Sequence, residues 1–208
     1  MSRSRLVWAL IGATAATIVG ARAGLRASVR GQLTLDLGVG RSVRPLGPIT
    51  IRVRAPRDVV FDVAAAPYGP NAPRELRRHV EVVQRSSGMV IAAHRTSVGK
   101  DVAITVEGVV LDRPDRIGFR VIRGPVPHVV EEFRFDEAEG VTTLIYSGEL
   151  GTDLWALGRA WGARVAAVWE ETVRRSLEQI RDAAEGRARA RAAREEGSSA
   201  EGDDDPTR

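Results

Sequence analysis

Residues 116–184 constrain the fold most: strand-like runs follow one another closely, and one uninterrupted amphipathic helix then begins near Asp153, carrying Trp155, Trp161 and Trp169. Leu154, Leu157, Trp161, Val165, Val168, Thr172, Leu177 and Ile180 recur at three- and four-residue spacing, which gives the helix an apolar stripe that must be covered. Thr152 or Asp153 stands where a helix cap belongs. Strands closed by a single long helix predict a sheet curled around that helix.

Alternating runs predict strands at 49–54, 79–86, 88–97, 101–111, 116–123, 127–135 and 141–150. Ser87-Gly88, Arg113-Pro114-Asp115, Gly124-Pro125 and Glu139-Gly140 separate them with turn chemistry. Connections this short make the last six strands an antiparallel meander. Pro56 suits the first turn of a short helix through Asp58, Val60, Phe61 and Val63, and residues 74–78 suit another. The predicted class is α+β.

In the long helix, Gly158, Gly162 and Ala166 form a line of small residues between Trp155 and Trp169. Glycine inside a helix costs about 1 kcal/mol relative to alanine. Two reasons would justify it: close approach of the sheet backbone, or space left for a ligand.

The N-terminal region differs in kind. Residues 6–21 (LVWALIGATAATIVGA) carry no charge and as a helix would span about 24 Å, slightly short of a ~30 Å hydrocarbon core. Flanking Arg5 and Arg22 can snorkel, and Trp8 suits an interface. The expectation is a single-pass anchor with the C-terminal domain cytoplasmic. The competing readings are a signal peptide cleaved near Ala21-Arg22-Ala23, giving a secreted protein, and a buried helix. Gly12, Ala16, Gly20 and Gly24 share one face, which would permit a homodimer through close helix packing.

Charge follows the same division. Residues 1–44 hold seven arginines against Asp36 alone, a net +6, which leaves −2 for residues 45–208 of the +4 total. The folded part is thus slightly acidic and lacks the footprint of a nucleic-acid-binding domain. Arginines beside an apolar segment suit an anionic membrane surface. With no cysteine, thiolate metal sites and cysteine nucleophiles are excluded. His79, His94 and His128 have no metal-ligand spacing, so no metal or other cofactor is expected.

The organisation read from these signals is an anchor at 1–24, a connector at 25–47, a domain at 48–186, and a charged, largely disordered tail at 187–208. Within the connector, Leu33, Leu35, Leu37 and Val39 alternate with polar residues or glycine, as in a short edge strand or a segment lying on the domain or bilayer.

Residues 49–61 (ITIRVRAPRDVVF), residues 140–146 (GVTTLIY) and the long final helix together resemble the START-like superfamily of polyketide cyclases and aromatases, lipid-transfer domains and pathogenesis-related allergens. The resemblance covers roughly residues 48–184. It implies a helix-grip fold: a seven-stranded antiparallel sheet around the C-terminal helix, two small helices at one end, and an apolar cavity between. It leaves activity open, because function resides in the site.

With one alternation of each strand facing inward, Ile117, Phe119 and Val121 share a face, as do Val102, Ile104 and Val106, and so do Val129, Glu131, Phe133 and Phe135. The cavity is expected to be lined by Phe119, Phe133, Phe135, Tyr68, Trp155, Gly158 and Gly162. Glu131 and Tyr146 are the candidate catalytic groups. The expected function is a membrane-anchored domain that binds a lipid or other hydrophobic small molecule without catalysis. The alternatives are a cyclase, aromatase or dehydratase in which Glu131 or Tyr146 moves a proton, and a membrane-associated structural or assembly factor.

Overall fold

The computed structural model describes Thr34 and residues 36–98 and 101–201. Seven strands form one antiparallel sheet: β1 Ser42–Val53, β2 Val80–Arg85, β3 Val90–Val98, β4 Asp101–Asp112, β5 Arg116–Arg123, β6 His128–Ala138 and β7 Val141–Thr152. Their order is β1-β7-β6-β5-β4-β3-β2, a meander from β2 to β7 onto whose last strand β1 is added. Helix α1 (Arg57–Ala65) and the single turn α2 (Arg74–Arg77) fill the β1–β2 connection, and α3 (Trp155–Glu201) closes the chain.

The sequence explains each choice locally. Glu139 and Gly140 both have positive φ, the conformation a two-residue hairpin needs, and Ala138 pairs with Val141 across it. Pro45 is tolerated because β1 is an edge strand. Pro56 opens α1, with Asp58 in its first turn where the helix dipole favours negative charge. The buried Thr142 hydroxyl donates to the Ala55 carbonyl at 2.7 Å and ties the β1–α1 corner to the start of β7.

Several expectations change at the edges. The first strand begins at Ser42, inside the expected connector, where Val43 pairs with Gly151 and Leu46 with Gly148. Residues 36–41 are not a strand. The final helix runs past residue 186 to Glu201, so most of the expected tail continues it. Among the described residues no helix is long and apolar enough to cross a membrane. The expected anchor, with Gly12, Ala16 and Gly20, lies outside the described residues.

The main partners of α3 are β1, β7 and α1. Val165, Ala166, Val173, Leu177 and Ala184 are its buried stripe, with Trp161, Trp169 and Ile180 partly buried beside them. Leu157, 72% exposed, and Val168 fall off that stripe, a correction to the sequence reading.

Asp153 does not cap the helix. Its carboxylate accepts hydrogen bonds from the Leu37 and Gly38 amides at 2.6 and 2.8 Å and from Arg41 Nε at 2.8 Å, so it fastens the segment before β1. Arg41, with those amides, holds the Asp153 carboxyl down to about 2. A depressed carboxyl stabilises above its unfolded value near 3.8, and the contribution is lost as pH falls through about 2. Asp153→Asn should therefore speed hydrogen exchange at the Leu37 and Gly38 amides and leave β3–β5 unchanged; unchanged exchange at those amides would refute the fastening role.

Candidate functional site

The concave face is set by strand alternation. Ile117 and Phe119 on β5, Val129 and Phe135 on β6, and Leu144, Tyr146 and Leu150 on β7 are buried, while Val121, Glu131 and Phe133 on the same faces are only half-buried. Because α3 rests mainly on β1 and β7, it leaves the inward faces of the middle strands incompletely covered.

A line of aromatic rings crosses this face. Tyr68 lies 6.2 Å from Phe119, Phe119 5.3 Å from Phe133, and Phe133 6.0 Å from Tyr146. The closer contacts adopt the edge-to-face geometry that aromatic quadrupoles favour.

Two carboxyl groups share this interior. Glu131 Oε2 accepts the Tyr146 hydroxyl at 2.6 Å and the Trp169 indole N–H at 2.7 Å, so β6, β7 and α3 meet at one oxygen. Burial, then repulsion from Glu107, pushes the Glu131 carboxyl up to about 8, opposed by those two hydrogen bonds. Glu107 on β4 is 3% exposed, and burial pushes its carboxyl up to about 8 as well. His94 Nδ1 stands 3.6 Å from Glu107 Oε2, too far for a good hydrogen bond, and the His94 ring stacks on Tyr68. Burial lowers His94 to about 4, so the ring is neutral at neutral pH. Burial raises both Tyr68 and Tyr146 well above the ordinary phenol range. Low dielectric penalises each charged form in turn.

Solved structures match this architecture, whereas no family model and no curated protein does. The Zhui aromatase/cyclase of a Streptomyces species aligns with a TM-score of 0.55 over 73% of this chain and 96% of that one, at 19% identity. TTHA0849 from Thermus thermophilus aligns at 0.53 over 69% and 97%, with 14% identity. The chain has the helix-grip fold. Norcoclaurine synthase from Thalictrum flavum, solved with dopamine and hydroxybenzaldehyde, shares it at a TM-score of 0.52 over 71% and 87%, with 12% identity.

In this helix-grip, Tyr68, Phe119, Glu131, Phe133 and Tyr146 come together as one wall. Phe135 instead packs in the core, its ring 5.4 Å from that of Phe61. Trp155 is 60% exposed and stands outside the interior, with its amide bonded to the Gly40 carbonyl at 3.0 Å. Gly158 and Gly162 resolve the two readings of the small-residue line: a Cβ on Gly158 would lie 1.6 Å from the Asp153 carbonyl oxygen, and one on Gly162 would lie 3.0 Å from Thr152. Close approach to the end of β7 requires them, so they do not leave space for a ligand.

Glu107 and His94 join the site although the sequence pattern does not mark them. On β4 the inward alternation is Thr105, Glu107 and Val109, whereas Val102, expected inside with Ile104 and Val106, is 46% exposed. The usable signal was the apolar pair Val109 and Leu111 at the same parity as Glu107. The bulge in its pairing with β5 places the extra residue, Ile122, on β5, so the parity of β4 is kept through Glu107. His128 pairs with Glu149 at 2.8 Å, near the surface, and His79 is exposed. Among the described residues no His, Asp and Glu cluster could hold a metal ion. A separate groove lined by Arg52, Arg54, Val141, Arg181 and Glu185 lies away from both interior carboxyls.

Proposed function

We propose that this helix-grip takes up a lipid or other apolar small molecule against its concave face, beside a membrane, without catalysis. The observation that carries the reading is the line of rings from Tyr68 to Tyr146, with Phe133 and Glu131 only half-buried between sheet and helix. An aromatic wall offers large apolar area, and a few fixed polar groups would orient the occupant. Norcoclaurine synthase, of the same fold, was solved with two small aromatic molecules.

The membrane part of the reading rests on residues 6–21 and on the end of the domain that follows them in the chain. There Leu37, Val39, Trp155 and Leu157 are exposed around the start of α3, and the Leu154 amide bonds to the Val39 carbonyl at 2.9 Å. Exposed apolar side chains beside an apolar segment suit a bilayer surface.

Uptake is tested with the neutral, polarity-sensitive dye Nile red. The full-length protein should bind it, and Phe133→Trp, which thickens the wall, should weaken binding by about tenfold while unfolding stays cooperative. Equal binding by both proteins would place the dye elsewhere and sink the reading.

A second reading is favoured by the hydrogen bonds that converge on Glu131. A raised carboxyl held by Tyr146 and Trp169 is suited to proton transfer at neutral pH. Deuterium exchange next to the carbonyl of an aryl ketone, followed by NMR, should then be accelerated by the protein and lost in Glu131→Gln. Equal rates in both would leave binding as the function.

A further inference from the structure

Both Tyr146 and Trp169 donate to Glu131 Oε2, and Oε1 receives no hydrogen bond among the described residues. Among the described residues the Glu107 carboxyl likewise receives none, and His94 Nδ1 stands 3.6 Å from its Oε2. Among the described residues no side-chain oxygen or nitrogen is both fully buried and without a hydrogen bond, so the Glu107 oxygens keep a small accessible area. The residue as a whole is 3% exposed. Buried polar groups are almost always hydrogen-bonded, and leaving a carboxylate unpaired costs more than any neutral group.

The sign of the interior charge is equally one-sided. Glu107 and Asp153 are the buried charged residues among those described, and no arginine is buried. Asp153 is already matched by Arg41 outside this interior. Among the described residues the basic group beside Glu107 is His94, held neutral by burial. Aromatic faces from Tyr68, Phe119, Phe133 and Trp169 add negative quadrupole potential, which attracts cations.

We propose that the interior selects apolar molecules bearing a protonated amine, with Glu107 and Glu131 Oε1 as its acceptors, and discriminates against molecules bearing a carboxylate. This rests on the uptake reading and specifies the class of molecule taken up. An amine hydrogen-bonded to carboxylates satisfies both orphan acceptors and neutralises their mutual repulsion. Above about pH 8, where Glu107 and Glu131 ionise, a carboxylate would add a third negative charge where no arginine answers it.

The test uses three probes with one apolar body: naphthylethylamine, naphthylethanol and naphthylacetate, titrated against the full chain by calorimetry at pH 8.5. The amine should bind about tenfold to a hundredfold more tightly than the alcohol, the range for hydrogen bonds to charged groups, and the acetate most weakly. Glu107→Gln should remove most of the preference for the amine, and cooperative urea unfolding of the variant checks that it is folded. Amine binding should weaken as pH falls from about 8 to about 5, because protons return to Glu107 and Glu131. Their titratable neighbours are Tyr68, His94, Tyr146 and Glu170, and alcohol binding should stay flat over that range. Equal or tighter binding of the acetate overturns the charge preference alone. Failure of all three probes to bind overturns the uptake reading and this inference with it.

Discussion

Gly158→Ala should unfold roughly 6–12 °C below the parent protein in a calorimetric scan. The added Cβ would meet the Asp153 carbonyl oxygen at 1.6 Å, a backbone atom that cannot swing aside as a side chain can. Relief requires the first turn of α3 to lift from the end of β7, where Leu154 and Trp155 already adopt positive φ. Overpacking of this kind sits at about 3 kcal/mol, the upper end for added core volume, and each kcal/mol moves the midpoint of a chain this long by about 2–4 °C. Gly186→Ala is the matched control on the same helix, since nothing lies within 4 Å of a Cβ there. It should gain up to about 1 kcal/mol from helix propensity alone. Equal effects at both positions would refute the close-approach account of Gly158.

The second large effect is a loss of stability with rising pH, steepest between about 6.5 and 8. Glu107 and Glu131 are raised from 4.5 to about 8, so across that interval the folded chain holds protons that the unfolded chain releases. Stability then falls by about 1.4 kcal/mol per pH unit for each group fully titrating in this way. His94 has the opposite sign: lowered from 6.5 to about 4, it makes stability rise with pH between those values and offsets one carboxyl there. Above 6.5 that offset is gone. Both carboxyls contribute fully below about 4.5, and their contribution disappears as pH passes through about 8. The slope belongs to the coupled pair, and half-buried Glu131 contributes less than Glu107. Urea unfolding at pH 6.5, 7.25 and 8 should show the fall, and Glu107→Gln should remove about half of it. A flat profile in the parent protein would mean that the carboxyls are better solvated than their surroundings indicate.

Strand β5 was read at 116–123 and stands there, because Asp115 and Gly124 bound a clean alternation. Strand β1 was read seven residues too late, because Pro45, Gly47 and Pro48 are breakers in isolation. They are tolerated on an edge strand whose bulge falls between Leu46 and Ile49. Gly47, at φ 73, also offers its amide to Glu170 Oε1 at 3.0 Å, a contact 123 residues distant that no local pattern encodes.

At the site, Tyr68, Phe119, Glu131, Phe133 and Tyr146 could be named because each sits on the apolar parity of its strand or in the loop after the first helix. Glu107 could not, because β4 carries apolar residues on both parities and a charged residue reads as the solvent side. Trp155 was misplaced for the reverse reason: a tryptophan at the start of an amphipathic helix reads as buried. The chain enters α3 through two positive-φ residues, which turn that ring out against Gly40.

By itself, then, the sequence determined the meander, the closing helix and the aromatic parity of β5 and β6, since these depend on periodicity and turn chemistry within a few residues of one another. Only the tertiary structure decided that Glu107 joins Glu131 and that Gly158 and Gly162 serve packing. Those outcomes depend on strand register and on the docking of α3 against β1 and β7. A one-residue slip in register exchanges the two faces of a strand.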